Sequence, residues 1–214
     1  MYCRLTDKRC EEIKSEVAFM FQECGITTVP IDCFEIAEKL YYKLVPYSKL
    51  SERKKNIALN FSEDAFSTYK IDKKTNMVKP IIFYNDLVCN PQRIRWSIFH
   101  EIGHIYLGHH DNVEDSNDEQ DAINEKEANF FAKYAIAPPP LIGLYECGNA
   151  YDIADRFDLT WESSLYSMYY YNKRIIYGPR TVEPYEQEIL DLFKGNAVNI
   201  KSAATTTYVQ ACGS

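Results

Sequence analysis

The chain has 214 residues, 46% hydrophobic and 26% charged, which suits one globular core with room for a small appended module. Its net charge is −7 and its densest basic run is only Arg53-Lys54-Lys55, so the basic stripe that nucleic-acid binders use is missing and no direct nucleic-acid partner is expected. No apolar run approaches the roughly 20 residues of a membrane helix, the N-terminus lacks an apolar signal core, and seven Cys without a Cys-x-x-Cys pair read as reduced thiols, so a cytoplasmic protein without membrane partners is expected.

In chain order, residues 7–24 form the first expected helix: Ile13, Val17, Met20, Phe21 and Cys24 recur at three and four, and Gly25 stands at its stop. A second short helix is expected from Asp32 to Leu40. The period then changes. Leu44–Tyr47, Ile57–Phe61, Ser67–Ile71 and Pro80–Tyr84 read as short strands joined by polar turns. Asn90-Pro91 combines a good cap with a residue suited to the first helical position, and opens a long helix to about His109. Residues 111–124 read as an acidic loop, followed by a helix from about Asn124 to Ile136 that Pro138-Pro139-Pro140 stops. Further helices are expected at 149–157, at 161–173 and near 183–194. The Ala/Thr-rich segment 196–214 is expected to be disordered.

The chemistry concentrates in His100-Glu101-Ile102-Gly103-His104. Residues four apart on a helix fall on nearly the same face, so both imidazoles can reach one ion from one rigid element. Zinc lowers the pKa of a water it holds towards about 7, and Glu101 is placed to take that water's proton as general base and return it to the departing amine. A surface helix with two incidental histidines is the plainer alternative. Against it, Ile94, Trp96, Ile98, Phe99, Ile102, Ile105 and Tyr106 make the helix apolar nearly all round, as in a central helix. Gly103 lies inside the helix at a cost of about 1 kcal/mol relative to Ala, which close approach of another element or a substrate would explain. The four histidines of the chain, His100, His104, His109 and His110, all fall within this short stretch.

A catalytic zinc takes three protein ligands and keeps one position open. The third is then a carboxylate, or else His109 or His110. Glu114, Asp115, Asp118, Glu119 and Asp121 lie in the acidic run, whereas Glu125 and Glu127 begin a helix and so offer a more rigid element. Helical phase does not separate those two, and Asn124 with Glu127 also resembles a capping box. A donor for the carbonyl oxygen of the transition state would come from Tyr84, Arg93 or a loop residue.

The run His100–His109 (HEIGHIYLGH), followed by Glu125-Lys126-Glu127-Ala128-Asn129-Phe130-Phe131-Ala132 and a helix ending in Ala137-Pro138, resembles the ImmA/IrrE family of metallo-endopeptidases. The likeness extends over about residues 30–175, and the family's usual Leu-Leu-Met-Pro ending is replaced by Ala135-Ile136-Ala137-Pro138. The resemblance implies that the glutamate before Ala-Asn, Glu127, is the third zinc ligand beside His100 and His104, with Glu101 catalytic. It implies a cytoplasmic bacterial regulatory protease that cleaves a helix-turn-helix repressor of a mobile element or stress response. The alternative is a non-proteolytic regulator, stabilised by its metal, that binds a repressor or toxin partner.

Residues 150–165 read like a helix-turn-helix, yet the second helix carries Glu162 and several Tyr where a DNA reader would carry basic and amide residues, so packing or partner docking is expected of it. The expected architecture is α+β and zincin-like. Residues 1–145 form a metallopeptidase domain with N-terminal helices, a small twisted sheet whose edge strand at about 80–85 lines the cleft, and the central HExxH helix. Residues 146–195 form a helical module, and a tail follows.

Overall fold

A computed structural model describes residues 5–71, 76–110 and 118–196 of the chain. Glu114, Asp115 and most of the expected tail lie outside the described residues. The architecture is α+β, as expected, with a small mixed sheet among many helices.

Helix α1 (Asp7–Cys24) and helix α2 (Cys33–Lys39) fall where the periodicity puts them; Asp32 caps α2 by accepting a hydrogen bond from the Phe34 N–H. Strand β1 (Lys43–Pro46) leads through a turn of tighter helix (Tyr47–Lys49) into helix α3 (Glu52–Phe61). Residues 57–61, read as a strand, are therefore helical. Five apolar-leaning residues are too few to fix a period, and the preceding Glu52-Arg53-Lys54-Lys55 are good helix formers, with Glu52 and Lys55 paired one turn apart at 2.6 Å. Only Ala58 of this helix is buried.

Strands β2 (Ala65–Ile71) and β3 (Val78–Tyr84) complete the sheet. Its order is β1-β3-β2, with β1 parallel and β2 antiparallel to β3. The strand at 80–85 is thus central rather than at the edge, and β2 is the edge strand nearer the expected chemistry. Pro80 fits a central strand because pairing with β1 begins one residue later, at Ile81, so no β1 ladder bond needs the missing N–H.

Helix α4 (Pro91–Tyr106) carries the HExxH residues, and helix α5 (Asp118–Ile136) packs on it. Helix α5 starts six residues before the expected Asn124, so Asp118, Glu119 and Asp121 occupy its first turn, where acidic side chains face the positive end of the helix dipole. The prolines both stop one helix and start another: Pro138 stands at the cap of helix α6 (Pro139–Leu144), with Pro at its opening positions. Helices α7 (Ala150–Phe157), α8 (Trp161–Tyr177) and α9 (184–196) follow.

The chain divides into two compact units, Met1–Val17 with Asp32–Ile136, and Ala18–Ile31 with Ala137–Ser214. The first is built around fully buried Ile13, Val17, Ile36, Tyr47, Ile82, Phe99, Ile102 and Phe131. Burial of each such large side chain contributes about 1.5–3 kcal/mol. In the second unit, Phe21 meets Phe193 edge-on at 6.0 Å, and Arg174 grips the buried Glu186 through two hydrogen bonds of 2.8 and 2.6 Å. There α7 opens with a capping box between Asn149 and Asp152 and ends at Asp158 in the left-handed conformation, which turns the chain into α8.

Candidate metal centre

Local chemistry sets the start of α4. The Asn90 side chain accepts from the Arg93 N–H, and Pro91 fills the first helical position. From there the helix runs through the core with Ile98, Phe99, Ile102 and Gly103 buried, which fixes the direction of the remaining face. On that face the Nε2 atoms of His100 and His104 stand 3.0 Å apart.

The third member of the group comes from α5. Glu125 sets Oε2 at 3.4 Å from Nε2 of His100 and Oε1 at 3.3 Å from Nε2 of His104. His100, His104 and Glu125 present ligand atoms that all lie within 4.8 Å of one another, a group able to hold a metal ion. The Glu125 side chain stays 59% exposed, so this side of the group is open to solvent.

Glu127, the glutamate that the resemblance selects, is not a member of that group. Two residues on an α-helix are turned by roughly 200° from each other, so α5 cannot aim both carboxylates at the same histidines. Glu127 is buried and faces Arg9 of α1 instead. Arg9 Nε donates to Oε1 at 2.8 Å and Nη2 donates to Oε2 at 2.7 Å, while Nη1 donates to Glu12 at 3.2 Å. Burial alone would raise the Glu127 pKa, but hydrogen bonds from Arg9 and His109 outweigh it and the carboxyl is held below its ordinary range. The same pairing raises the Arg9 guanidinium above its already high value.

His109 and His110 are not ligands in this arrangement, yet both return to the site. Gly108, at φ +71°, reverses the chain past the end of α4, a conformation that costs glycine little. The His109 N–H then bonds to the His104 carbonyl at 3.0 Å. The His109 ring lies with Nδ1 at 3.0 Å from Nδ1 of His104 and Nε2 at 3.1 Å from Glu127 Oε2. Burial is the main reason its pKa is lowered, and this overrides the opposing pull of Glu127. His110 Nε2 lies 2.8 Å from the Ser67 hydroxyl, and its ring meets Tyr69 edge-on.

Ser67 links the sheet to the expected base. Its hydroxyl donates to Glu101 Oε2 at 2.6 Å, and Glu101 is buried beside the histidines. Neither Ser67 nor Arg9 is marked by the sequence: one is a serine in a strand, and the other lies 118 positions from its partner. Of the other expected donors, Arg93 is engaged by Asp64 at 2.7 Å and Tyr84 packs edge-on against Phe34. Chemically the centre offers two imidazoles and a carboxylate converging on one point, with a second carboxylate held one residue along the helix.

No match to the chain was found among curated proteins. A family model, that of peptidase family M78 and described as the IrrE N-terminal-like domain, matches residues 44–168, more than half of the chain and the whole span that carries His100, Glu101, His104, Glu125 and Glu127. The chain therefore belongs to the ImmA/IrrE family of metallopeptidases.

Proposed function

We propose that the chain is a zinc-dependent endopeptidase in which His100, His104 and Glu125 hold the metal and Glu101 is the general base. The observation that carries this reading is the spacing of the three donors. Ligands about 2.0–2.1 Å from a tetrahedral zinc stand roughly 3.3–3.4 Å from one another. The two Nε2 atoms stand 3.0 Å apart, each with one oxygen of the Glu125 carboxylate at 3.4 or 3.3 Å, spacings close to that separation, and two His with one Glu is a donor set that catalytic zinc sites use. With their lone pairs turned to one point, these donors repel one another, and a cation between them relieves that repulsion.

When bound, zinc supplies an acidified water and polarises the scissile carbonyl. The remaining steps belong to the chain. Glu101 accepts the proton of the attacking water and delivers it to the leaving amine nitrogen. Ser67 orients it by donating to Oε2, so the Oε1 lone pairs remain for that proton. Strand β2, at the edge of the sheet, offers a substrate backbone a place to pair, and Ser67 on that strand brings the paired segment alongside Glu101.

As the finer reading, the substrate is a helix-turn-helix transcriptional repressor of a mobile element or stress response, and the setting is the bacterial cytoplasm. Family resemblance supports the substrate class. Cys33, Cys89 and Cys147 are free thiols, which suits a reducing compartment, and no helix among the described residues is long and apolar enough to cross a membrane. The test is incubation of the zinc-loaded chain with purified helix-turn-helix repressors and with a proteome-derived peptide library, read by mass spectrometry. Wild type is expected to yield discrete new termini that vanish with chelator and in Glu101→Gln carrying zinc. Equal cleavage by Glu101→Gln would sink the mechanism; cleaved peptides with every repressor intact would sink the substrate class alone.

A further inference from the structure

Given the ligand set just proposed, on which this inference rests, the polar side chains behind the His104 ring decide which of its nitrogens is free to bind a metal.

At the far end of the series of contacts the donor is unambiguous. Arg9 has only N–H donors, so both Glu127 oxygens that it touches are acceptors. Ionised Glu127 has no proton to give. Its contact with His109 Nε2 at 3.1 Å is therefore a donation from the ring N–H. A neutral imidazole carries one N–H, so with Nε2 donating, Nδ1 of His109 is a lone pair. That lone pair faces His104 Nδ1 at 3.0 Å, and the contact is a hydrogen bond only if His104 Nδ1 carries the proton. Nε2 of His104 is then left bare, and it is the atom turned to His100 and Glu125. Every proton in the series is assigned by the one before it.

We infer that Arg9, Glu127 and His109 form a positioning chain that holds His104 in its metal-binding tautomer and orientation, anchored on the N-terminal helix. Arg9 lies outside the residues that the family model matches, 44–168, so this anchor is a contribution of the flanking segment to the centre. The device serves one ligand only. Nδ1 of His100 is buried with no hydrogen-bond partner among the described residues. The side chains of His109 and Glu127 are themselves 6% and 9% exposed, so the middle of the chain is shielded from competing water. The Arg9 fork also explains a two-point rather than a single contact: a planar guanidinium fixes the carboxylate plane, and that plane fixes the His109 ring.

The experiment is zinc affinity of the full chain, by competition with a chromophoric chelator, together with the visible spectrum of the cobalt-substituted protein. Arg9→Met and His109→Phe are expected to weaken zinc binding about 10–100-fold, the usual effect of losing a partner behind a metal-bound histidine, and to shift the cobalt bands. Arg9→Lys, which keeps the charge without the fork, is expected to fall between Arg9→Met and wild type, a graded response that a merely structural role would not produce. The melting temperature of each metal-free variant shows whether it is folded; should Arg9→Met fail to fold, Arg9→Lys decides. Wild-type affinity and cobalt spectrum in folded Arg9 and His109 variants, with Glu125→Ala losing zinc, would overturn the positioning chain and leave the ligand set standing. Loss of zinc in Glu127→Gln with retention in Glu125→Ala would instead overturn the ligand set, and the chain with it.

Discussion

A Cβ built on Gly103 of α4 would stand 3.1 Å from Cδ1 of Phe131 on α5, and 3.2 Å from its Cβ and Cγ. The glycine is therefore where the helix bearing His100 and His104 is approached by the helix bearing Glu125. An added methyl would gain up to about 1 kcal/mol of helix propensity. It would also press on a fully buried ring whose Cβ is tied to the α5 backbone, so α5 itself has to give. Overpacking of this kind typically costs about 1–3 kcal/mol. Gly103→Ala is expected to be destabilised by the net of these, up to about 2 kcal/mol, and to bind zinc more weakly because Glu125 moves with α5. Urea unfolding and zinc competition check both; a variant more stable than wild type with unchanged zinc affinity contradicts the argument.

Ser67 gives a second prediction. Its hydroxyl donates to the Glu101 carboxylate at 2.6 Å, and hydrogen bonds to charged groups are worth about 1.5–3 kcal/mol. If the bond acts by aiming the base, Ser67→Ala should lower kcat about 10–100-fold with little change in KM and with full zinc occupancy. Steady-state kinetics on one cleaved peptide decides it. An unchanged kcat would mean that Ser67 merely neighbours Glu101.

Alkaline pH probes the core behind the site. Burial, helped by the charge of Asp32, pushes the Cys33 thiol up from 9.0 to about 12. A folded-state pKa above the unfolded one means the unfolded chain ionises first as pH rises. The stabilisation is whole below pH 9 and is lost progressively towards pH 12, amounting to about 4 kcal/mol at full loss. Unfolding free energy measured from pH 8 to 11 should fall more steeply in wild type than in Cys33→Ala. Over the same range a thiol reagent should label exposed Cys89 well before Cys33. Parallel pH profiles for the two proteins would contradict the shift.

Much of this arrangement is legible in the residues themselves, for stated reasons. Asn90-Pro91 announces the start of α4 because cap chemistry is local, and the period of Ile13, Val17, Met20 and Phe21 announces α1. Gly103 announces a close approach, and Phe131 is the element that approaches. What is not legible depends on partners distant in sequence. The 3.6-residue period says that Glu125 and Glu127 face different ways, but not which of them meets His100 and His104. In the fold Arg9, 118 positions away, engages Glu127, and Glu125 meets the two histidines. Likewise, four apolar strands do not reveal sheet order. Residues 57–61 became helix, and β2 rather than the strand at 80–85 took the edge.

The most direct measurement is a crystal structure of the zinc-loaded chain with an anomalous difference map recorded at the zinc absorption edge. One strong peak is expected, bonded to Nε2 of His100, Nε2 of His104 and an oxygen of Glu125, with Glu127 still held by Arg9. A peak bonded to Glu127, with Arg9 displaced and Glu125 turned to solvent, would contradict that ligand set.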